Sequence, residues 1–149
     1  MTHRAFLALG SNLGDGRQNL QKAIERIVDC VGNIIEKSSV VESEPWGFES
    51  ENKFVNSVVL VETKLTPIEL LDITQSIERE LGRTNKRKPN FPYEDRIIDI
   101  DILFYDNYEI KTERLTLPHP HIYAREFVYL PLKEIEDKLK QRGASFGIK

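Results

Sequence analysis

The sequence predicts an α+β domain in which helices flank an antiparallel sheet. Three segments, 5–9, 54–63 and 96–104, are short and rich in β-branched or aromatic residues, as strands are. Two others, 16–31 and 66–81, carry apolar residues at helical spacing. With a further strand at 34–41, the order is the ferredoxin-like βαββαβ pattern, extended by a hairpin and C-terminal helices. The 149 residues are expected to form one domain, 1–149.

The first half of the chain contains one strongly marked helix. A glycine-rich turn at 10–16 follows the first strand, and Gly32 is expected to end the helix. This turn lacks the lysine of a P-loop, so it indicates backbone geometry and not a phosphate cradle. The predicted buried stripe is made of Leu20, Ala23, Ile24, Ile27, Val28 and Val31.

The second half begins with a capping box, Thr66-Pro67-Ile68-Glu69, which opens a helix ending near Gly82. Its predicted buried stripe leaves Gln75 and Glu78 on a neighbouring face. A short return strand is expected at 109–111 and an extended, proline-rich stretch at 115–121. Segment 123–130 begins a helix, and the charged segment 133–142 is expected to be a solvated terminal helix.

Composition restricts the classes of function. The 21 basic and 24 acidic residues, with pI near 5.7, give no general attraction to nucleic acid or to an anionic membrane. The single cysteine excludes an internal disulfide. No apolar run has membrane-spanning length, and the start enters a strand without a secretory signal, so we expect a cytoplasmic protein.

A carboxylate pair lies in the middle of the strand at 96–104. Asp99 and Asp101 share one face, about 6.6 Å apart along the strand, while the neighbouring isoleucines share the other. Two adjacent carboxylates repel, and a divalent cation neutralises them; oxygen ligands together with substrate phosphates suit Mg²⁺. The alternative is a solvated sheet face that merely alternates polar and apolar residues.

Two further features favour a functional site. A basic, proline-broken loop at 83–95 leads directly to Arg96 and the aspartates, and such a cationic loop suits a polyphosphate. Phe54 and Asn56 share a face of another strand, where a ring beside an amide suits a flat heterocycle. A structural asparagine is the alternative there.

Several stretches resemble 6-hydroxymethyl-7,8-dihydropterin pyrophosphokinase of folate biosynthesis. The matches run in family order across positions 6 to about 132: Leu9-Gly10-Ser11-Asn12-Leu13-Gly14, Phe54-Val55-Asn56, Arg96-Ile97-Ile98-Asp99-Ile100-Asp101-Ile102, Leu117-Pro118-His119-Pro120 and Arg125-x-Phe127. The resemblance implies transfer of pyrophosphate from ATP to the pterin hydroxymethyl group, with release of AMP. It also implies two Mg²⁺ ions held by Asp99 and Asp101.

The resemblance further assigns roles to individual residues. Those implied to be catalytic are Arg83, Arg96, Asp99 and Asp101. Those implied to bind the pterin are Ser43, Glu44, Trp46, Phe54, Asn56 and Phe127. Those implied to line the ATP site are Gln75, Glu78, Arg83, Lys86, Arg96, Ile102, Leu115, Thr116, His119 and Arg125. The chain departs from the family at Glu94 and Asp95, where a small pair is usual before the arginine.

Two other classes of protein share parts of this pattern. Another two-metal nucleotidyl or phosphoryl transferase on a ferredoxin-like sheet would use the aspartates but leaves Phe54, Asn56 and Phe127 without a role. An RNA-binding module would use the aromatics, but the acidic composition and the carboxylate pair oppose it. We therefore expect small-molecule substrates, no nucleic acid or membrane partner, and a monomer.

Overall fold

The computed structural model describes residues 1–44, 53–82 and 97–143. The chain begins with strand β1 (His3–Ser11), helix α1 (Gly16–Cys30), strand β2 (Gly32–Lys37), strand β3 (Val41–Ser43) and strand β4 (Phe54–Thr63). It continues with helix α2 (Pro67–Glu80), strand β5 (Asp99–Tyr105), the short strands β6 (Ile110–Lys111) and β7 (Thr116–Leu117), and helix α3 (Glu126–Gln141). Among these helices, none is long and apolar enough to span a bilayer.

The main sheet has the strand order β2-β4-β1-β5, with β3 also paired to β4, and the pairings are antiparallel. This order and the βαββαβ succession confirm the predicted ferredoxin-like fold. The predicted single strand at 34–41 is wrong, because the chain leaves the ladder at Ser38. The Ser38 amide donates to Val58 O, and the Ser38 hydroxyl oxygen accepts from Val58 N, each at 2.9 Å.

Each face of the sheet packs on a separate hydrophobic cluster. Helices α1 and α2 cover the face that carries Leu7 and Ile100; we name it the two-helix face. Helix α3 covers the opposite face, which carries Phe6, Ala8 and Val58; we name it the α3 face. Because side chains alternate along a strand, Gly10, Asn56, Asp99 and Asp101 all lie on the α3 face.

The helix ends largely follow the sequence signals. The Thr66 hydroxyl accepts from Glu69 N at 3.2 Å, and the Glu69 carboxylate accepts from Thr66 N at 2.9 Å, which confirms the capping box. In α1, however, Val28 is 48% exposed, so its predicted burial is wrong. The buried arc of α1 is centred on Leu20, Ala23 and Ile27, and Val28 lies beyond its edge.

The C-terminal part is a single helix, not a short helix followed by a solvated one. Buried residues recur along α3 at Val128, Leu132, Ile135 and Leu139, a helical stripe that closes the α3 face. The prediction of a merely solvated helix is therefore wrong, because the many charges at 133–142 occupy only its outer side. Arg125 immediately precedes α3 as its N-cap residue, and this places it against the sheet.

Candidate active site

Strand β5 places two carboxylates on the α3 face. Asp99 and Asp101 are both half-buried, whereas Ile98, Ile100 and Ile102 are buried in the cluster on the two-helix face. Arg125 is 5% exposed, and its Nη1 lies 3.9 Å from Asp101 Oδ2. The predicted sharing of one face by the two aspartates is confirmed, and the N-terminal end of α3 adds a buried cation.

Glu78 has a role that the sequence did not indicate. Its side chain is buried, at 6% exposure, and Oε2 accepts a hydrogen bond of 2.8 Å from the backbone amide of Ile100. Ile100 lies between the two aspartates. Helix α2 thus fixes the backbone of β5 at the point from which both carboxylates extend, and the ATP contact that the resemblance implies for Glu78 stays a prediction.

An amide and an aromatic ring form a second group of site residues on β4. The Nδ2 group of Asn56 donates to Ser43 Oγ at 2.8 Å and to Val41 O at 3.3 Å. Because these two bonds engage its donor group, Asn56 offers Oδ1, an acceptor, to a ligand. Phe54 lies two residues earlier on the same face of β4. A ligand that donates N–H groups along one edge matches this arrangement.

The two groups are aligned across the sheet. Gly10 of β1 pairs with Asn56 on one side and with Asp99 on the other. Two strand spacings therefore separate Asn56 from Asp99, about 10 Å between their backbones. A bicyclic ring with a one-carbon arm spans such a separation, so one small molecule can reach both groups.

The start of α3 supplies a second aromatic ring on the same face. Phe127 is half-buried against the α3-face cluster, and the Arg125 guanidinium carbon lies 5.9 Å from the centre of the Phe127 ring. This contact is within the usual range for a cation beside an aromatic face. Arg125 is thus held between a ring and the Asp101 carboxylate.

The residues predicted to line an ATP site lie in several environments. Gln75 Oε1 accepts from Arg114 Nη2 at 3.3 Å, and Arg114 also pairs with Asp72 at 2.6 Å. Ile102 and Leu115 are buried in the two-helix-face cluster, whereas Thr116 is exposed. Arg114 could not be identified from sequence, because a single arginine before Leu115 carries no signal until the structure shows Asp72 and Gln75 of α2 beside it.

Two histidines follow the proline-rich stretch. The backbone N–H of His119 donates to Leu103 O of β5 at 3.0 Å, and its ring Nδ1 accepts from His121 N at 3.1 Å. Burial, followed by the nearby charge of Arg125, lowers the pKa of His121 below its ordinary value. The lowered pKa favours the neutral form of His121. The backbone of His119 is held at the edge of β5 by its bond to Leu103.

Other predicted site residues lie at the margin of the described chain or outside it. Ser43 is half-buried, while Glu44 is exposed and pairs with Lys53 at 3.6 Å. Trp46, Arg83, Lys86 and Arg96 lie outside the described residues, as do Glu94 and Asp95. Within the described ranges, no group of three or more histidine, cysteine or acidic side chains is placed to hold a metal. Among the described residues, the aspartates are thus a two-carboxylate pair, and a metal bound there would take its other ligands from outside this pair.

A carboxylate pair on the same sheet face as a buried amide and two aromatic rings indicates a class of protein. These groups suit an enzyme that transfers a phosphorus-containing group from a nucleotide to a small heterocyclic acceptor. Neither a nucleophile nor a covalent intermediate is required, since such transfer depends on positioning and charge neutralisation. The fold alone would not have indicated this class, because ferredoxin-like sheets support many functions.

The chain belongs to the 7,8-dihydro-6-hydroxymethylpterin-pyrophosphokinase (HPPK) family, whose model matches residues 6–137. Similar proteins include the 2-amino-4-hydroxy-6-hydroxymethyldihydropteridine pyrophosphokinase of Porphyromonas gingivalis, 47% identical over 131 residues, which are 87% of this chain and 88% of the relative. The enzyme of that name from Bacillus subtilis is 39% identical over 146 residues, covering 97% and 85%. The predicted resemblance is therefore confirmed.

Solved structures share the fold at low identity. An HPPK-DHPS crystal structure in complex with substrates has a TM-score of 0.71 and 18% identity, covering 89% of this chain but 39% of the other. Plasmodium falciparum HPPK-DHPS with pteroate has a TM-score of 0.69 and 17% identity, covering 90% and 39%. The chain thus corresponds to one part of those longer proteins.

Proposed function

We propose that this chain transfers the pyrophosphoryl group of ATP to the hydroxymethyl oxygen of 6-hydroxymethyl-7,8-dihydropterin, a step in folate biosynthesis. The observation that carries the proposal is the row formed by Asn56, Gly10 and Asp99 across three strands. This row supports the proposal, because the Asn56 amide and the Asp99 carboxylate lie on one face, at a separation that a hydroxymethyl-substituted bicycle spans.

The substrate oxygen attacks the β-phosphorus of ATP. A bond forms between that oxygen and the β-phosphorus, while the bond from the β-phosphorus to the oxygen shared with the α-phosphate breaks. AMP leaves with that oxygen, and the hydroxyl proton passes to solvent. The products are AMP and the pterin pyrophosphate, so ATP is a co-substrate.

The carboxylate pair fits Mg²⁺, and by family likeness two ions. Asp99 and Asp101 would hold them, since both are oxygen donors, share one face and stay partly open to solvent. When bound, Mg²⁺ supplies charge neutralisation on the phosphates and lowers the pKa of the attacking hydroxyl. Arg125, 3.9 Å from Asp101, adds a fixed positive charge beside the pair.

Recognition of the pterin falls to β4 and α3. The Oδ1 atom of Asn56 accepts from the N–H groups of the pterin amide edge, because its Nδ2 group is already bonded to Ser43 and Val41. Phe54 and Phe127 lie on the same face and stack against the ring. By family likeness, Glu44 and Trp46 add contacts to the pterin.

Recognition of ATP is assigned to the residues around the outer edge of β5. Gln75, with its partner Arg114, and His119 lie on elements beside that edge. The remaining ATP-site residues carried over from the family are Glu78, Arg83, Lys86, Arg96, Ile102, Leu115, Thr116 and Arg125. Arg83 and Arg96 are proposed to act on the phosphates during transfer.

We further propose that the protein is a cytoplasmic monomer that uses these two small-molecule substrates. ATP is the donor, and the single cysteine does not call for an oxidising compartment. The alternative, another two-metal nucleotidyl or phosphoryl transferase, explains the aspartates alone. The bonded Asn56 amide and the rings near it favour the pterin reaction.

One assay separates these reactions. The purified protein is incubated with ATP, Mg²⁺ and 6-hydroxymethyl-7,8-dihydropterin, and the nucleotides are separated. We expect AMP in equal amount to the pterin consumed, with none when the pterin is omitted. Formation of ADP instead would show ordinary phosphoryl transfer, and an inactive wild-type protein that still binds Mg²⁺ and ATP would reject the proposal.

A further inference from the structure

We infer that Gly10 is a positioning residue of the pterin site, which acts by leaving room for Asn56 and Phe54. The inference rests on the proposed function. It concerns a residue that the sequence predicted to belong to a glycine-rich turn of purely backbone importance, and that the structure places within β1. Gly10 lies on the α3 face of β1, directly between Asn56 of β4 and Asp99 of β5.

The backbone at Gly10 does not require glycine. Among the described glycines, the positive φ values belong to Gly14, Gly32, Gly82 and Gly143, whereas Gly10 continues the regular ladder of β1. Glycine within a strand weakens it, and a glycine there commonly marks a close approach of other atoms. The need for glycine at this position therefore comes from the space around it.

That space is occupied by the pterin-side residues. A methyl group built on Gly10 would lie 3.2 Å from Asn56 Oδ1, closer than ordinary van der Waals contact, and 3.5 Å from Phe54 Cδ1. Gly10 is itself buried, and the direction of the methyl group is fixed by the backbone, so the neighbouring side chains must give way. An alanine at position 10 would meet the amide acceptor and the ring together.

Asn56 has little freedom to move aside. Its Nδ2 group holds Ser43 Oγ at 2.8 Å and Val41 O at 3.3 Å, and the residue is buried at 5% exposure. Turning the amide away from a methyl group would lengthen these bonds and displace Oδ1, the atom proposed to accept from the pterin. Substitution of Gly10 thus acts on pterin recognition through Asn56, while the ATP-side residues on α2 and β7 are not in the contact.

The test compares Gly10→Ala with the wild type in the AMP-forming assay. We expect the KM for the pterin to rise by about 10- to 200-fold, the range by which one methylene changes discrimination in a fitted pocket. The KM for ATP should stay within about twofold, since the atoms nearest the added methyl group belong to Asn56 and Phe54. Loss of folded protein alone would lower turnover and leave both KM values unchanged. Equal changes in both constants, or none in the pterin KM, would overturn the inference.

Gly16→Ala is the matched control. Its methyl group would lie 2.5 Å from Val55 Cγ2, a harder contact with the same strand β4, but Val55 packs on the two-helix face. This variant should lower the thermal unfolding temperature and leave the ratio of the two KM values unchanged. A selective rise in the pterin KM here as well would show that any disturbance of β4 suffices, and would contradict a specific role for Gly10.

A double variant covers the case in which Gly10→Ala folds poorly. Asn56→Ala has a stability cost of its own, because it removes the bonds to Ser43 and Val41. Gly10→Ala should therefore lower the unfolding temperature less in the Asn56→Ala background than in the wild type, because the 3.2 Å contact no longer exists. An equal loss in both backgrounds would overturn the contact itself. If the wild type forms no AMP, the proposed function fails, and equilibrium binding of the pterin to wild type and Gly10→Ala judges the inference separately.

Discussion

Replacement of Glu78 by leucine tests how the aspartate strand is held. Glu78 and Ile100 are 6% and 5% exposed, so Glu78→Leu leaves the Ile100 N–H buried beside an apolar side chain. An unsatisfied buried donor costs about 1–3 kcal/mol of the free energy of unfolding. For a chain of this length, each kcal/mol lowers the unfolding temperature by about 2–4 °C. Glu78→Gln keeps an oxygen acceptor and should lose less.

The functional effect of Glu78→Leu follows from the position of Ile100 between the two aspartates. A loosened strand presents the carboxylates less accurately, so the Mg²⁺ concentration that gives half-maximal AMP formation should rise. The assay is a Mg²⁺ titration at saturating ATP, accompanied by thermal unfolding of each variant. If Glu78 instead serves mainly as an ATP ligand, Glu78→Gln will raise the KM for ATP while stability stays unchanged.

Glu80→Leu on the same helix is the control. Glu80 makes a surface ion pair with Arg26, and such exposed pairs contribute about 0–1 kcal/mol. We expect this variant to keep the Mg²⁺ dependence of the wild type. Equal stability and equal Mg²⁺ dependence of Glu78→Leu and Glu80→Leu would refute the assignment of Glu78 as the anchor of β5.

Four further predictions address the site and the fold. Asp99→Ala and Asp101→Ala should each reduce turnover by at least ~100-fold at saturating Mg²⁺, as loss of one preorganised electrostatic group does. Near-normal AMP formation by both variants would rule out the metal assignment. Phe127→Ala should weaken pterin binding by roughly 1–3 kcal/mol, the value of one base-aromatic stack. Isothermal titration measures this affinity, and an unchanged affinity for the pterin would exclude stacking on Phe127. The pKa of His121 is lowered in the folded state, so the unfolded chain binds its proton more readily. The free energy of unfolding should therefore fall as pH drops below about 6.5. His121→Asn should reduce this fall, as measured by urea unfolding at pH 7 and pH 5. Thr66→Ala should lose about 1 kcal/mol of unfolding free energy and Thr66→Ser almost none, and equal losses would show that the hydroxyl does not cap α2.

The parts of the site that one strand or one helix determines could be predicted from sequence. Alternation alone places Asp99 and Asp101 on one face of β5, and the same rule joins Phe54 to Asn56 on β4. Local hydrogen-bonding chemistry likewise gave the capping box before α2. These features depend on residues within a few positions of one another, where periodicity and capping preferences act directly.

The parts that depend on docking of distant segments could not be predicted in this way. The bond from Ile100 N to Glu78 requires the position of α2 against β5, and no pattern in either segment encodes it. The crowding at Gly10 requires the register of three strands. The inner face of α3 was hidden for a different reason, because its stripe of four apolar residues is interleaved with charges that dominate the local composition.

The outer edge of β5 also affects how the molecule behaves at high concentration. An edge strand offers N–H and C=O groups to which another chain can add, and this is a common route to aggregation. Here Glu78 occupies the Ile100 N–H and the His119 backbone occupies the Leu103 carbonyl. Another chain would have to break both bonds and approach two carboxylates before pairing. The groups that hold the aspartate strand in place therefore also protect this edge of the sheet against association with another chain.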